Sequence, residues 1–367
     1  MSNEGILFIP DISGFTHFVT TTEVNHSKHI ISELLEVLIE ANELKLDISE
    51  IEGDAILFYK YGPAPSAATI YSQVKQMFIR FHQHLSAYDQ FRICDCGACT
   101  SASSLDLKVI THQGWFTTYR VKQFEKLMGE SLITAHRLLK NEGLGHSYWL
   151  ITDGLVPQTQ LEALPLNWQP ETRVIDNSKI HFQYADLSKL KDEIQIEKPK
   201  STLSKRRGIP ALTVTDIITG DLHTVARLVT DISLRPQWLV GVTETREIKY
   251  PINQIGNEHS CVLNDRCDLV TTRGFERTDT TITYRESVGD MGEMVYVLKQ
   301  TAPARTEVSI SFYLEASATM RLLFKMMKRK QMITDFNKSI LRLELLATGE
   351  IHQMDKDSKE TSEMRFI

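Results

Sequence analysis

The sequence has no long apolar run, no excess of basic charge and no dense set of cysteines. Its uninterrupted apolar stretches are only a few residues long, far short of the ~20 residues a membrane-crossing helix needs. The start, Met-Ser-Asn-Glu-Gly, lacks the basic segment and apolar run of an export signal. With 41 basic and 47 acidic residues and a net charge of −6, the chain lacks the basic surface on which nucleic-acid binding draws. There are five cysteines, three of them crowded at Cys94, Cys96 and Cys99. An odd, clustered set is not a secreted disulfide framework, so the cytoplasm is the expected compartment. What the chain does have is the balance of a soluble globular protein, 42% apolar and 24% charged over 367 residues, a length that suits two domains.

The first stretch with chemical content is 8–16, Phe-Ile-Pro-Asp-Ile-Ser-Gly-Phe-Thr. Ile6 to Ile9 is an apolar run fit for a buried strand, and it ends at Pro10 and Asp11. The segment 46–59 predicts two short strands broken by Gly53-Asp54, a turn signal between apolar flanks. If both pair with the first strand, Asp11 and Asp54 meet at one sheet edge. Two carboxylates that close repel each other unless a cation lies between them, and Mg²⁺ is the hard ion such a pair would hold with a phosphate. Each acid alone is also ordinary turn chemistry.

Helical spacing recurs over 29–44 and again from Ile70 to Leu85, and alternation of Leu105, Leu107 and Val109 predicts a strand ending at His112-Gln-Gly114. Strand, helix, two strands, helix, strand is a ferredoxin-like order. A helix is expected from Ser131 to Asn141, with late strands at 148–151 and 179–184. The charged stretch 188–208 is expected to be a linker, giving domains at 1–187 and 209–350 and a disordered tail at 351–367.

Asp11-Ile-Ser-Gly-Phe-Thr16 and Gly53-Asp54-Ala-Ile-Leu57 resemble the two metal-binding signatures of class III adenylate and guanylate cyclases. Gly129-Glu-Ser-Leu-Ile-Thr-Ala-His-Arg-Leu138 resembles that family's third signature. The resemblance covers roughly the first half of the chain. It implies a homodimer that binds a nucleoside triphosphate with Mg²⁺ or Mn²⁺ on Asp11, the Ile12 carbonyl and Asp54, with Ser13, Gly14, Phe15 and Thr16 around the phosphates. It places Glu50 and Lys126 at the base-reading positions, where Glu50 matches guanylate cyclases and Lys126 departs from both usual residues. Arg137 stands at the charge-neutralising arginine, Ile133 at the transition-state asparagine, and Lys179 is the candidate phosphate lysine. Loss of one transition-state hydrogen bond costs about 10²–10³ in rate, so a slow or inactive enzyme is expected, with an active ligand-regulated cyclase as the alternative. The bland role for Arg137 is a surface ion pair with Glu130 or Glu142.

Cys94-Asp-Cys-Gly-Ala-Cys99 is foreign to that pattern. Its thiols are a candidate Zn²⁺ site with His112 as fourth ligand; a redox pair or simply buried thiols are the alternatives.

The second half alternates apolar and polar residues over 212–218, 242–250, 256–264, 268–275, 280–288, 294–300 and 306–315, with one helical region at 222–239 and a long helix at 320–346. This pattern, with Asp231-Ile-Ser-Leu-Arg-Pro-Gln-Trp-Leu239 and Gly256-Asn-Glu-His259, resembles the START-like, polyketide-cyclase-type (SRPBCC) helix-grip fold. The whole is thus expected to be α+β, a cyclase-type domain followed by a helix-grip domain. The resemblance implies an apolar ligand cavity with Trp238, His259, Tyr284, Tyr296 and Phe312 as candidate lining residues, against ordinary core packing; a hydrophobic-ligand carrier is therefore a third functional alternative.

Overall fold

The computed structural model describes residues 3–140, 143–175, 178–196, 208–246, 253–263, 266–289, 291–314, 324 and 326–350. It is a mixed α+β protein of two compact units, one of Met1–Gln90 and Asp95–Glu197, the other of Phe91–Cys94 and Lys198–Ile367. Among the described residues, no helix is long and apolar enough to cross a membrane.

The first unit is organised on β1 (Asn3–Ser13), which is buried from Gly5 to Ser13. A strand buried on both faces reads as an unbroken apolar run, and this is why 6–9 is so legible. β1 lies between β3 (Ala55–Tyr61) and β4 (Asp106–Val121), with β2 (Asp47–Glu52) beyond β3; all these pairings are antiparallel. The helices α1 (Phe15–Thr21), α2 (Val24–Glu40) and α3 (Ala67–Phe91) complete a βαββαβ succession with strand order β4-β1-β3-β2. That is the ferredoxin-like arrangement. The sheet continues past β4 through β6 (Tyr148–Thr152), β8 (Ser178–Asp186) and β7 (Trp168–Ile175), and β5 (Phe124–Met128) forms a hairpin with the far end of β4. Two short helices, α4 (Gly97–Ser101) and α6 (Gln158–Glu162), precede β4 and β7. The odd residues of β1, Leu7 and Ile9, pack with Ala135 of α5 (Glu130–Leu139), so α5 covers the face on which Asp11 also lies.

Two boundaries differ from expectation. β4 does not end at Gly114 but runs on to Val121. A side chain at Gly114 would collide with Ser131, so this glycine permits close approach of α5 rather than a turn. Part of the expected linker is ordered: 188–193 form a 3₁₀ turn whose Leu190 is buried and whose Lys191 bonds Asp106. The change of unit falls between 197 and 198, while 197–207 and the tail 351–367 lie outside the described residues.

The second unit is a seven-stranded antiparallel sheet in the order β10-β11-β12-β13-β14-β15-β9, where β9 is Leu212–Thr219, β10 Val242–Arg246, β11 Glu258–Leu263, β12 Arg266–Arg277, β13 Thr281–Val288, β14 Gly292–Ala302 and β15 Arg305–Leu314. Strict alternation of buried residues along β13 and β14 gives the sheet one packed face. The last helix, α9 (Arg329–Thr348), buries Phe336, Ile340 and Leu343 in the same core as Val225 and Val229 of α7 (Leu222–Thr230). The expected helix 222–239 is interrupted because Asp231 accepts from Ser233 N and starts a separate 3₁₀ turn, after which Pro236 sits in the first turn of α8 (Arg235–Trp238).

Inside this unit Arg235 is 1% exposed and pairs with Glu286 at 2.5 Å. Burial disfavours its charge, but the facing Glu286 carboxylate outweighs that and holds the guanidinium well above its usual pKa. An ion pair buried this fully is costly to break and cheap to replace as a whole. We therefore expect Glu286→Ala to destabilise the second unit by about 3–5 kcal/mol, and Arg235→Met combined with Glu286→Leu to cost far less. Urea midpoints of the two variants check this.

Candidate functional site

Asp11 ends the buried part of β1, and the β1–β3 register sets it opposite Ala55, the residue after Asp54. The turn that carries Asp54 is tied down at the same place, since Ile12 N donates to Asp54 O at 3.0 Å. Gly53 adopts φ +60 in that turn, a conformation glycine enters without steric cost. The β1–β4 register puts Lys108 on the other side of Asp11, and its ammonium lies 3.2 Å from Asp11 Oδ1. Lys108 also donates to the Leu139 carbonyl at the end of α5 at 3.1 Å. The centre is thus two carboxylates and one lysine at the rim of the sheet.

Burial dominates the electrostatics. It raises the Asp11 pKa from 3.8 to about 6, with Lys108 pulling it down and the Asp54 charge pushing it up. Asp54 is raised too, chiefly by burial. Lys108 leaves this excess negative charge only partly compensated. Two carboxylates and a neighbouring backbone carbonyl are the hard oxygen donors that Mg²⁺ and Mn²⁺ take, so the residues present fit a divalent cation.

The other residues singled out in the sequence fall into separate places. Ser13 is buried at the end of β1, and Gly14, at φ +88, turns the chain into α1, which begins at Phe15 and Thr16. Glu50 on β2 and Lys126 on β5 form an ion pair with each other. Ile133, 52% exposed, and Arg137 share the exposed side of α5 one turn apart. Lys179 lies on β8, two strands removed from β4.

The cysteine cluster gathers a different histidine. His112 hydrogen-bonds Thr152 Oγ1 through Nδ1 at 2.8 Å, and burial lowers its pKa to about 4. His26, at the start of α2, is the one that meets the thiols: its Nδ1 lies 3.1 Å from Cys96 Sγ and 3.3 Å from Cys99 Sγ. The sequence offered one unused cue, because Cys96-Gly-Ala-Cys99 is itself a Cys-x-x-Cys pair. Nothing in the local pattern around His26 marked it.

Trp238, Tyr284, Tyr296 and Phe312 belong to the packed core of the second unit. Tyr284 stacks on Tyr296 at 5.7 Å, and Trp238 meets Tyr296 edge-on at 6.1 Å. His259 is part of a polar interior rather than an apolar lining: Arg235 bonds its Nε2 at 2.8 Å, and burial followed by the arginine charge pushes its pKa down to about 3. Sequence inspection missed Arg235, Glu286 and Lys108, because a charged residue in an alternating strand or short helix looks solvent-facing.

The sign of the Asp11 shift sets a pH dependence. Without a cation, unfolded Asp11 ionises near 3.8 and folded Asp11 near 6, so stability falls as pH rises through that window and levels off above it. At about 1.36 kcal/mol per pKa unit, the loss is on the order of 2–3 kcal/mol. We expect Asp11→Asn to remove this slope. Mg²⁺ or Mn²⁺, which need the ionised form, should raise the melting temperature more at pH 7.5 than at pH 5; calorimetry across pH with and without the cation measures both effects.

The family described as a protein of unknown function, DUF2652, matches residues 31–148. An uncharacterized protein of Mycobacterium tuberculosis is 30% identical over 123 residues, which are 34% of this chain and 57% of that protein. The chain therefore spans a little over half the length of that relative. Among solved structures, the guanylate cyclase domain of RhGC from Catenaria anguillulae, in complex with GTP, is similar at 15% identity and a TM-score of 0.38, covering 50% of this chain and 96% of that one. The adenylyl cyclase CyaB from P. aeruginosa is similar at 13% identity and a TM-score of 0.36, covering 50% and 94%.

Proposed function

We propose that the first unit is a class III cyclase-homology domain that binds a nucleoside triphosphate with Mg²⁺ or Mn²⁺ as a homodimer and is slow or inactive as a cyclase. The observation that carries this is the convergence of Asp11 and Asp54 on one sheet rim, both with raised carboxyl pKa values. In this role Asp11, the Ile12 carbonyl and Asp54 hold the cation, which when bound neutralises phosphate charge. The turn at Ser13-Gly14 brings backbone close to the triphosphate. Glu50 and Lys126, already paired, offer an acceptor beside a donor. That suits a guanine edge, whose N1–H and N2–H₂ face a carboxylate while O6 takes an ammonium.

Support for pairing of two chains comes from a group of exposed apolar side chains on one hairpin. On the β4–β5 hairpin, Trp115 is 59%, Phe124 60% and Met128 55% exposed, and Ile133 of α5 adds to the same tally. Large apolar side chains left open in a cluster mark an interaction surface. Ile133 has no polar atom to offer a transition state, while Arg137 on the same side of α5 keeps its charge, which favours nucleotide binding over turnover. For the second unit, a helix-grip fold and a role in sensing an apolar ligand rest on the sequence resemblance and on the antiparallel sheet with its long last helix.

Titration with a fluorescent GTP analogue and Mn²⁺ tests the proposal. Wild type should bind, and Asp54→Ala should lose at least tenfold in affinity with its circular dichroism unchanged; equal binding by both removes the proposed site. In a cyclic-product assay, Ile133→Asn should raise any turnover by up to about 10²–10³, and adding Asp54→Ala to it should abolish that product.

A further inference from the structure

We propose that three residues of the first unit, His26, Cys96 and Cys99, hold a structural zinc ion. Their donor atoms all lie within 4.8 Å of one another. Zinc bonds of ~2.3 Å to sulfur and ~2.0–2.1 Å to nitrogen, set at tetrahedral angles, place sulfur and nitrogen about 3.6 Å apart. The 3.1 and 3.3 Å separations of His26 Nδ1 from Cys96 and Cys99 need an outward shift of only a few tenths of an ångström to meet that. Two sulfurs converging on one imidazole nitrogen is the arrangement that a shared zinc ion produces.

The surroundings are built for thiolates. Neither Cys96 nor Cys99 is in a disulfide. Tyr88 donates its hydroxyl to Cys99 Sγ at 2.9 Å, the outer hydrogen bond that orients a metal-bound thiolate. Gly97 N and Ala98 N donate to the Glu23 carboxylate at 3.2 and 3.0 Å, which fixes the turn between Cys96 and Cys99. Two sulfurs and one imidazole nitrogen are a soft set that selects zinc over Mg²⁺ or Ca²⁺. One further donor completes the tetrahedral shell. Coordination displaces the thiol protons to solvent. The ion fastens the first turn of α2 to the connection between α3 and β4, and so anchors the far end of the segment that begins at Ser13.

The test needs no nucleotide, so its outcome is independent of the proposed function. Untagged protein purified under reducing conditions should carry about one zinc per chain by plasma mass spectrometry. His26→Ala and Cys96→Ser should lose most of it, while Cys267→Ser, an exposed cysteine of the second unit, should retain it. Should the variants prove insoluble, Co²⁺ replacement in wild type decides: thiolate charge-transfer and tetrahedral d–d bands support the site. Fully reduced wild type that carries no zinc and takes up neither Zn²⁺ nor Co²⁺ would overturn it, as would iron with acid-labile sulfide, full zinc in Cys96→Ser, or a Cys96–Cys99 disulfide that persists in excess thiol.

Discussion

A carboxylate buried at the tip of the central strand is the constraint on which the first unit turns. Asp11 occupies a position that β1 gives over to apolar packing, between two hydrogen-bonded neighbours and beneath α5. Burial raises its pKa; Lys108 opposes that and Asp54 adds to it. A fold gains nothing in stability from this arrangement, since an aliphatic residue there would pack without any charge to compensate. Residues that depress stability at a sheet rim, where backbone turns expose donors and acceptors together, are the usual mark of a site kept for binding.

The second unit treats buried charge differently. Arg235 and Glu286 neutralise each other inside the core, and the network extends through Tyr284, which donates to Glu286, and through Asn253, which donates to the Tyr284 hydroxyl at 2.8 Å. Thr272 closes it by donating to Asn253 Oδ1 at 2.9 Å. Such a set is self-contained: most of its groups find partners within the unit and the charges sum to zero. The Asp11 centre is left with more negative charge than Lys108 covers, an imbalance that the Arg235–Glu286 core does not have.

How much of this was legible in the sequence follows from how local each signal is. Ile6 to Ile9 followed by Pro10-Asp11, and Gly53-Asp54 between apolar flanks, are short-range patterns, and the strand pairing that joins them follows from ordinary ferredoxin-like topology. The alternation of β13 and β14 was equally plain. Lys108 was not, because its partner is set by register across β1 and β4 and its own neighbours, Leu107 and Val109, made it look like the solvent side of a strand. Gly114 was misjudged for a related reason: a glycine read as punctuation serves a helix that arrives 17 residues later, at Ser131. His26 lies some seventy positions from its thiols, and no pattern in one sequence links them.

The same distinction separates two sets of donor atoms in the first unit, the thiols of Cys96 and Cys99 and the carboxylates of Asp11 and Asp54. At Cys96 and Cys99 the donors are soft, and they are held by Glu23 and Tyr88 from outside the cluster, so the geometry is fixed before any ion arrives. At Asp11 and Asp54 the donors are hard, few and partly countered by a lysine that must yield or share. A thiolate and imidazole set holds a soft ion tightly, whereas an under-supplied carboxylate pair needs the oxygens of a ligand to complete its shell. A cation there is therefore coupled to whatever anion brings the missing oxygens. Under the proposed function, that dependence favours the nucleoside triphosphate with its ion over the free ion.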